Sequence, residues 1–347
     1  MTWQAAMRQA LYGTEGFYLR GECPAAHFRT SVHVGDGYAA AVLVLLAQAD
    51  AALGHPPRLD LVDIGAGQGE LLEQVLRLAG QLPVTGPGPR LAGRIRAHAV
   101  ELAPRPATAD SRIAWAAAPP DRITGLVVAS EWLDNIPLDV AELTADGPRM
   151  VLVDTGTGAE RTGAALAGPG LAWQRRWWPL CHPGDRAELG YPRCAAWAQV
   201  IRRLQRGLAL AADYGHRVDG RPGAGTMTGY RDGRQVRPIP DGTRDITAHV
   251  AIDACAAAGA AAGADATVLT TQRAALRALG LTGDRPPLSQ AATDPAGYLA
   301  ALQRAAREAE LTDPAGLGAF SWLVQTVGMP MPAPLRELGL APVPGPG

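Results

Sequence analysis

Two features of the sequence could carry chemistry: a closely spaced set of glycines, and acidic residues near the ends of predicted strands. Asp63 lies in an apolar run, two residues before Gly65, which opens the pattern Gly-x-Gly-x-Gly. A glycine-rich turn lets a ligand approach the backbone, and the helix after it offers free N–H groups. A carboxylate here suits a cofactor with a cationic amino-acid part. The turn therefore predicts a nucleotide-like cofactor of that kind.

The glycine spacing separates this turn from the turn of dinucleotide-binding proteins. Those proteins have Gly-x-Gly-x-x-Gly and an acidic residue about 20 positions later for the ribose. Here the acid expected to hold a ribose is Glu101, in a predicted second strand at 98–102. A nicotinamide-dependent oxidoreductase and a plain strand-to-helix turn are the weaker alternatives. The expected cofactor-binding residues are Asp63, Gly65, Ala66, Gly67, Gly69, Glu101, Leu102 and Ser130.

Acidic residues at two further predicted strands indicate where an acceptor would bind. Glu131 and Asp134 follow the apolar run 125–130, and Asp213 ends the run 207–213. Two carboxylates at the spacing of Glu131 and Asp134 can grip a planar guanidinium by charge-assisted hydrogen bonds. The alternative is that Asp134 or Ser130 caps a following helix.

Histidines are the remaining candidates for proton transfer or substrate contact. His27 and His33 lie close together before the first predicted strand, although such a histidine is more often only hydrogen-bonded. His249 is expected to be structural, at the start of a helix that Thr247 caps. The candidate catalytic residues are Glu131, Asp134, His33 and Asp213.

Composition excludes several classes of protein. The chain has 347 residues, 47% of them hydrophobic, and a formal net charge of −1, so a nucleic-acid-binding or membrane-surface role is not expected. All 32 basic residues are arginine, which excludes chemistry that needs a lysine. The 4 cysteines are scattered, so we expect no metal site and a reducing, cytoplasmic environment. No apolar run is long enough to predict a membrane span or a signal peptide.

Apolar runs alternate with helical periodicities along the chain, and this predicts an α/β fold. We expect a doubly wound, Rossmann-like sheet with helices on both faces, whose ligands bind at the carboxyl ends of the strands. An N-terminal helical extension at 1–58 would contribute to the cleft, and the main domain would span 59–330. Within it, residues 216–245 predict a long loop that acts as a lid. A proline-rich tail at 331–347 would complete the chain. The tryptophan-rich patch at 173–178 is expected to be core or cover, with self-association as a homodimer as the alternative.

Several blocks of the sequence, in order, resemble one family, the MidA-like class I S-adenosylmethionine-dependent methyltransferases. Its mitochondrial members are complex I assembly factors that methylate an arginine. The similar blocks are Gly16-Phe17-Tyr18, Phe28-Arg29-Thr30-Ser31, Val62 to Leu72, Val100-Glu101-Leu102, Ser130 to Pro137, Asp213-Tyr214-Gly215, Gly225-Thr226-Met227 and Asp245 to Val250. The resemblance implies a class I methyltransferase fold, S-adenosyl-L-methionine as cofactor and, through the mitochondrial members, a protein arginine as acceptor.

The chain departs from the family pattern mainly on the acceptor side. Ala26-His27-Phe28 replaces Gly-Asp-Phe, Val32-His33 replaces Pro-Glu, and Ser130 stands where the family has asparagine. The alternative function is therefore a non-catalytic assembly or scaffold protein that keeps the cofactor but does not transfer a methyl group.

Overall fold

The strand that leads into the glycine-rich turn is the middle one of five parallel strands in a mixed sheet. The computed structural model describes residues 1–19, 30–83 and 90–339; His27, Phe28 and Arg29 and the end of the tail, 340–347, lie outside them. The strands of the described chain are β1 (Leu59–Ile64), β2 (Ile95–Val100), β3 (Ile113–Ala116), β4 (Ile123–Ser130), β5 (Asp139–Thr144), β6 (Gly147–Val153), β7 (Glu160–Ala165), β8 (Arg186–Leu189), β9 (Leu204–Asp213), β10 (Gly215–His216), β11 (Thr228–Arg231), β12 (Arg234–Val236), β13 (Asp245–Thr247), β14 (Val250–Ala251), β15 (Ala266–Thr271) and β16 (Ser321–Val327).

The main sheet has seven strands in the order β15-β16-β9-β4-β1-β2-β3. Strands β3, β2, β1, β4 and β9 are parallel, and β16 lies antiparallel between β9 and β15. The mostly parallel, doubly wound arrangement expected from the sequence is confirmed. Because the five parallel strands point the same way, their carboxyl ends meet at one edge, where such sheets bind ligands.

Helices cover both faces of the sheet. The helices are α1 (Trp3–Tyr12), α2 (Asp36–Ala52), α3 (Glu70–Gln81), α4 (Leu91–Arg94), α5 (Gly168–Trp177), α6 (Tyr191–Arg203), α7 (Ile252–Ala261), α8 (Gln272–Ala278), α9 (Leu288–Thr293), α10 (Pro295–Leu311) and α11 (Ala333–Arg336). Successive side chains of β1 alternate between the two cores: Leu61 packs with α2 and α3, and Val62 packs with α6 and α7. This alternation is what a buried parallel strand requires.

A third, smaller core fixes the N-terminal helix. Apolar residues of α1, among them Trp3 and Met7, are buried against β5, β6 and Ile246. Strands β5 to β8 form an antiparallel sheet in the order β7-β6-β5-β8. Trp173 and Trp178 are buried in the core beneath it, so the tryptophan patch is core.

The structure corrects two predictions of local structure. The expected loop at 216–245 contains the antiparallel sheet β12-β11-β13, and none of its residues lines the cavity described below. Helix α7 begins at Ile252, after the short strand β14, so Thr247 lies in β13 and caps no helix. Among the described helices, none combines the length and apolarity needed to cross a bilayer.

Candidate functional site

The glycine-rich turn between β1 and α3 has a backbone that only glycines adopt easily. Gly65, Gly67 and Gly69 have φ angles of 74°, 57° and 91°. A Cβ atom at Gly65 would lie 3.2 Å from the Trp132 side chain, so a larger residue would also be crowded. The Gly65 and Ala66 amides donate to the Val100 carbonyl at 2.9 and 3.3 Å, which ties the turn to the end of β2.

Glu101 closes the same turn from the neighbouring strand. One carboxylate oxygen accepts a hydrogen bond from the Gly67 amide at 3.1 Å. The other accepts from the amides of Leu102 and Ala103 at 2.6 and 3.1 Å. A carboxylate held by main-chain amides at the rim of the turn is well placed to accept hydrogen bonds from ribose hydroxyls, as the sequence predicts.

A cavity of about 900 Å³ opens at this edge of the sheet. That volume is at the upper end of the usual range for small-molecule sites. Every predicted cofactor-binding residue except Gly69 borders it, and the left-handed Gly69 forms the start of α3 beside it. The N-terminal extension supplies further lining residues: Tyr12, Tyr18, Leu19, Thr30, Val32 and His33.

The cavity is acidic at the turn. Burial, and then the charges of Glu70 and Glu101, raise the pKa of Asp63 to about 7. A bound cation would offset this repulsion and favour the ionised carboxylate. The residues present therefore fit a ligand that carries a positively charged group beside a ribose.

Glu131, the first residue after β4, borders the cavity in a strained conformation. Its φ angle is 52°, a backbone conformation that residues other than glycine rarely adopt. Its amide donates to the Ala212 carbonyl at 2.8 Å, and its carboxylate accepts from the Ser31 amide at 3.4 Å. Burial, and then the charge of Asp134, raise the pKa of Glu131 to about 8. Such a strained, half-buried carboxyl at the edge of a cavity is a good candidate for a functional group.

The predicted two-carboxylate grip is not formed, because Asp134 lies beneath the cavity wall. Glu131 borders the cavity, but Asp134 is only 4% exposed and does not. The Asp134 carboxylate instead accepts a hydrogen bond from the Thr247 hydroxyl at 2.6 Å. The helix-cap alternative fails too, since β4 is followed by a turn and by β5.

Asp213 is also withdrawn from the cavity, which corrects its predicted catalytic role. It is fully buried, and one oxygen accepts from the Leu133 and Asp134 amides at 2.9 and 3.3 Å. Burial, and then the charge of Asp134, raise its pKa well above the usual value. Asp213 therefore holds the loop that follows Glu131 in place, through its hydrogen bonds with the Leu133 and Asp134 amides.

Two other predicted residues line the cavity with partners of their own. His33 lies 2.7 Å from the Thr30 hydroxyl through Nδ1 and 3.4 Å from Glu70 through Nε2. The Ser130 hydroxyl is 2.5 Å from the Tyr38 hydroxyl. The other candidate, His27, lies outside the described residues. Within those residues, no group of three or more potential ligands could hold a metal ion.

The structure brings in residues to which the sequence analysis assigned no role. Asp245 is buried and accepts hydrogen bonds from the Tyr18 hydroxyl and the Asn135 side-chain amide, both at 3.0 Å. The Tyr12 hydroxyl donates to the Asn135 carbonyl at 3.3 Å. In the sequence, the only indication that Tyr18 and Asp245 have a role is that both lie in blocks that resemble the family. The hydrogen bond between them joins distant parts of the chain, so the local sequence does not predict it.

Comparisons with known proteins identify the family of this chain. A family model, Methyltransf_28, described as "putative S-adenosyl-L-methionine-dependent methyltransferase", matches residues 42–270. The mitochondrial protein arginine methyltransferase NDUFAF7 of Xenopus tropicalis is 24% identical over 290 residues, which cover 70% of this chain and 64% of that protein. The chain thus spans less than two thirds of that relative's length.

Two solved structures from Burkholderia thailandensis have the same fold. A COG1565 superfamily member bound to S-adenosyl-homocysteine is 24% identical, with a TM-score of 0.78 over 99% of this chain and 92% of the other. A native structure of a COG1565 superfamily protein, also 24% identical, has a TM-score of 0.79 over 99% and 91%. At this identity the likeness shows a shared fold.

Proposed function

We propose that this chain, which belongs to the Methyltransf_28 family of S-adenosyl-L-methionine-dependent methyltransferases, methylates a nitrogen atom of a protein arginine. The observation that carries the proposal is the position of Glu131. It borders the same cavity as the glycine-rich turn, on the opposite side of β1 from Glu101.

The glycine-rich turn, Asp63 and Glu101 would hold the methyl donor. Glu101 would accept hydrogen bonds from the ribose hydroxyls while it keeps the turn closed through the Gly67 amide. Asp63 would face the cationic amino-acid part, which lowers the pKa of this buried carboxyl from about 7 and favours its charged form. When bound, the donor supplies a methyl group on a sulfonium, which becomes a neutral thioether after the transfer.

Glu131 would orient the acceptor nitrogen and receive its proton. Transfer forms one N–C bond and leaves one proton to be removed from the nitrogen. In its ionised form, a carboxyl whose pKa is raised to about 8 is a stronger base than an ordinary glutamate, and a cationic acceptor beside it favours that form. The rest of the rate enhancement would come from in-line positioning in a closed cavity.

Arginine is supported as the acceptor by two observations. The relative from Xenopus tropicalis is named a protein arginine methyltransferase. The carboxyls of Asp134 and Asp245 lie close enough to Glu131 to raise its pKa, and a cationic acceptor, unlike a neutral one, would relieve this repulsion and favour the ionised carboxylates. Both acids are more than nine-tenths buried.

The test uses donor labelled in the methyl group, the purified full-length chain and protein extract from the source cells. Labelled proteins are hydrolysed to amino acids and the label is assigned by chromatography. The proposal expects label in ω-N-methylated arginine, and its loss in the Glu131→Gln variant. Label in another amino acid would overturn arginine while leaving methyl transfer intact. Donor binding without any transfer would favour the cofactor-binding scaffold.

A further inference from the structure

The cavity has an aromatic part that cofactor binding does not account for. Tyr12 and Tyr18, both from the N-terminal extension, border the cavity together with Leu19 and with residues 135–137. The two tyrosine rings stack with centroids 5.5 Å apart and an angle of 23° between their planes. We name this part the tyrosine lobe, with Tyr12, Tyr18 and Asn135 as its defining residues.

Both tyrosine hydroxyls have partners in the floor of the lobe. The Tyr12 hydroxyl donates to the Asn135 carbonyl at 3.3 Å, and the Tyr18 hydroxyl donates to the Asp245 carboxylate at 3.0 Å. Because both hydroxyls are engaged, the tyrosines would contact a ligand in the cavity through their rings. Ring faces attract cations, and guanidinium groups stack on them particularly well.

The order of strands places the lobe on the acceptor side. Residues 135–137 follow β4, whereas Glu101 follows β2 and the lining residues 117–119 follow β3. In the sheet, β4 lies on one side of β1, and β2 and β3 lie on the other. A nucleoside that is held through its ribose by Glu101 would extend towards β3, away from the lobe.

The ionisable groups near the lobe are mainly carboxyls, and their pKa values are raised. Burial, and then the charge of Asp134, raise the pKa of Asp245 to about 7. Asp134 and Asp245 both raise the pKa of Tyr12, after burial itself, so their field reaches the tyrosines. The buried guanidinium nearby, Arg193, donates to the main-chain carbonyls of Asp134, Ile136, Ala248 and His249. One Asp134 oxygen is buried without a hydrogen-bond partner. Against the effect of burial, the charge of Arg193 lowers the pKa of Asp134, and a second cation bound in the lobe would favour the ionised form of Asp245 in the same way.

We propose that the tyrosine lobe is the acceptor subsite, and that Tyr12 and Tyr18 select a planar cation, a guanidinium, whose outer nitrogen reaches Glu131. This inference rests on the proposed function. It assigns specificity to Tyr12 and Tyr18, which precede the residues matched by the family model.

The experiment measures binding of three probes to the full-length protein saturated with S-adenosylhomocysteine. The probes are N-acetyl, N′-methylamide derivatives of arginine, of lysine and of citrulline, which is the uncharged counterpart of arginine. The variants are Tyr12→Leu and Tyr18→Leu, with Tyr18→Phe to keep the ring and lose the bond to Asp245. Tyr298→Leu, on α10 and outside the cavity lining, is the matched control.

We expect the arginine probe to bind more tightly than the lysine probe, and both to bind far more tightly than the citrulline probe. Each of the variants Tyr12→Leu and Tyr18→Leu should lower the affinity for the arginine probe by about 5- to 30-fold, which corresponds to the loss of one cation–π contact. Tyr18→Phe and Tyr298→Leu should change this affinity less than about threefold. All variants should keep their affinity for S-adenosylhomocysteine within about threefold, which also shows that they are folded.

Three results would overturn the subsite. These are equal binding of the citrulline probe, arginine binding that the leucine variants leave unchanged, and a parallel loss of S-adenosylhomocysteine affinity, which would assign the lobe to the cofactor. Failure of the proposed function appears elsewhere, as a wild type that binds no cofactor or transfers no methyl group to arginine. If the leucine variants do not fold, the comparison of the three probes on the wild type still decides the cation preference.

Discussion

The two sides of β1 use the backbone and the side chains differently. On the β2 side, main-chain amides of the glycine-rich turn and of residues 102–103 surround Glu101, and each partner lies within 34 residues of it in the sequence. On the β4 side, Asp134 and Asp213 face inward, and their partners Thr247 and Leu133 come from separate segments. The cofactor side is therefore a local structure, whereas the acceptor side is assembled by the whole fold.

The largest effect that would separate the two sides is expected from Glu131→Gln. The variant keeps the shape of the side chain at a strained backbone position but cannot accept a proton. Turnover should fall by about 100- to 10,000-fold, the usual contribution of a general base. Affinity for S-adenosylhomocysteine should stay within about threefold of the wild type. A drop in both quantities together would place Glu131 on the cofactor side.

The next effect concerns the cofactor side itself. Glu101→Ala removes the expected acceptor of the ribose hydroxyls and frees the Gly67 amide, so affinity for S-adenosylhomocysteine should fall by about 100-fold. Isothermal titration measures the change, with the exposed Glu337→Ala as a control. Affinity equal to the wild type would show that the cofactor lies elsewhere.

Substitutions at Asp213 test whether the buried acids Asp134 and Asp213 have a structural role. Asp213→Ala leaves the Leu133 and Asp134 amides without a partner, so the free energy of unfolding should fall by about 2 to 4 kcal/mol. Asp213→Asn keeps an acceptor oxygen and should cost less than about 1 kcal/mol. Urea denaturation gives both values. A fully stable Asp213→Ala that has lost turnover alone would restore its predicted catalytic role.

The smallest expected effect is the dependence of stability and of donor affinity on pH. The pKa values of Asp63 and Glu131 are raised to about 7 and 8, so the folded protein keeps protons that the unfolded chain has already lost. The stability that these two groups contribute to the ligand-free protein therefore falls as the pH rises from about 4 to 8. S-adenosyl-L-methionine, a cation, should bind more tightly as the pH rises towards 7, by at most about tenfold per pH unit for the proton that Asp63 releases, and its affinity should level off at higher pH. Affinity that does not change as the pH rises towards 7 would contradict the raised pKa of Asp63.

The sequence predicts most of the central sheet because the parallel strands are continuous apolar runs. The sequence does not predict strand β16, because buried polar residues interrupt its apolar run. Gln325 is fully buried there, accepts from the Trp197 indole at 2.7 Å and donates to the Ala256 carbonyl at 2.9 Å. Nothing in the local sequence shows that such partners exist.

The same reasoning explains why the site could be predicted only in part. The glycine-rich turn with Glu101 is specified by residue types at fixed spacing, since the backbone conformation itself makes the contacts. The inward positions of Asp134 and Asp213, and the meeting of Tyr18 with Asp245, depend on tertiary packing. An acid at a strand end predicts the correct edge of the sheet, but not whether the side chain faces the cavity.

The most direct test of the account is a titration of wild type and the Glu101→Ala and Glu131→Gln variants with S-adenosyl-L-methionine, followed by a single-turnover assay on the same samples. We expect saturable binding by the wild type and by Glu131→Gln, weak binding by Glu101→Ala, and methyl transfer by the wild type with almost none by Glu131→Gln. A folded wild type that does not bind the donor, or a Glu131→Gln variant that transfers at the wild-type rate, would contradict it.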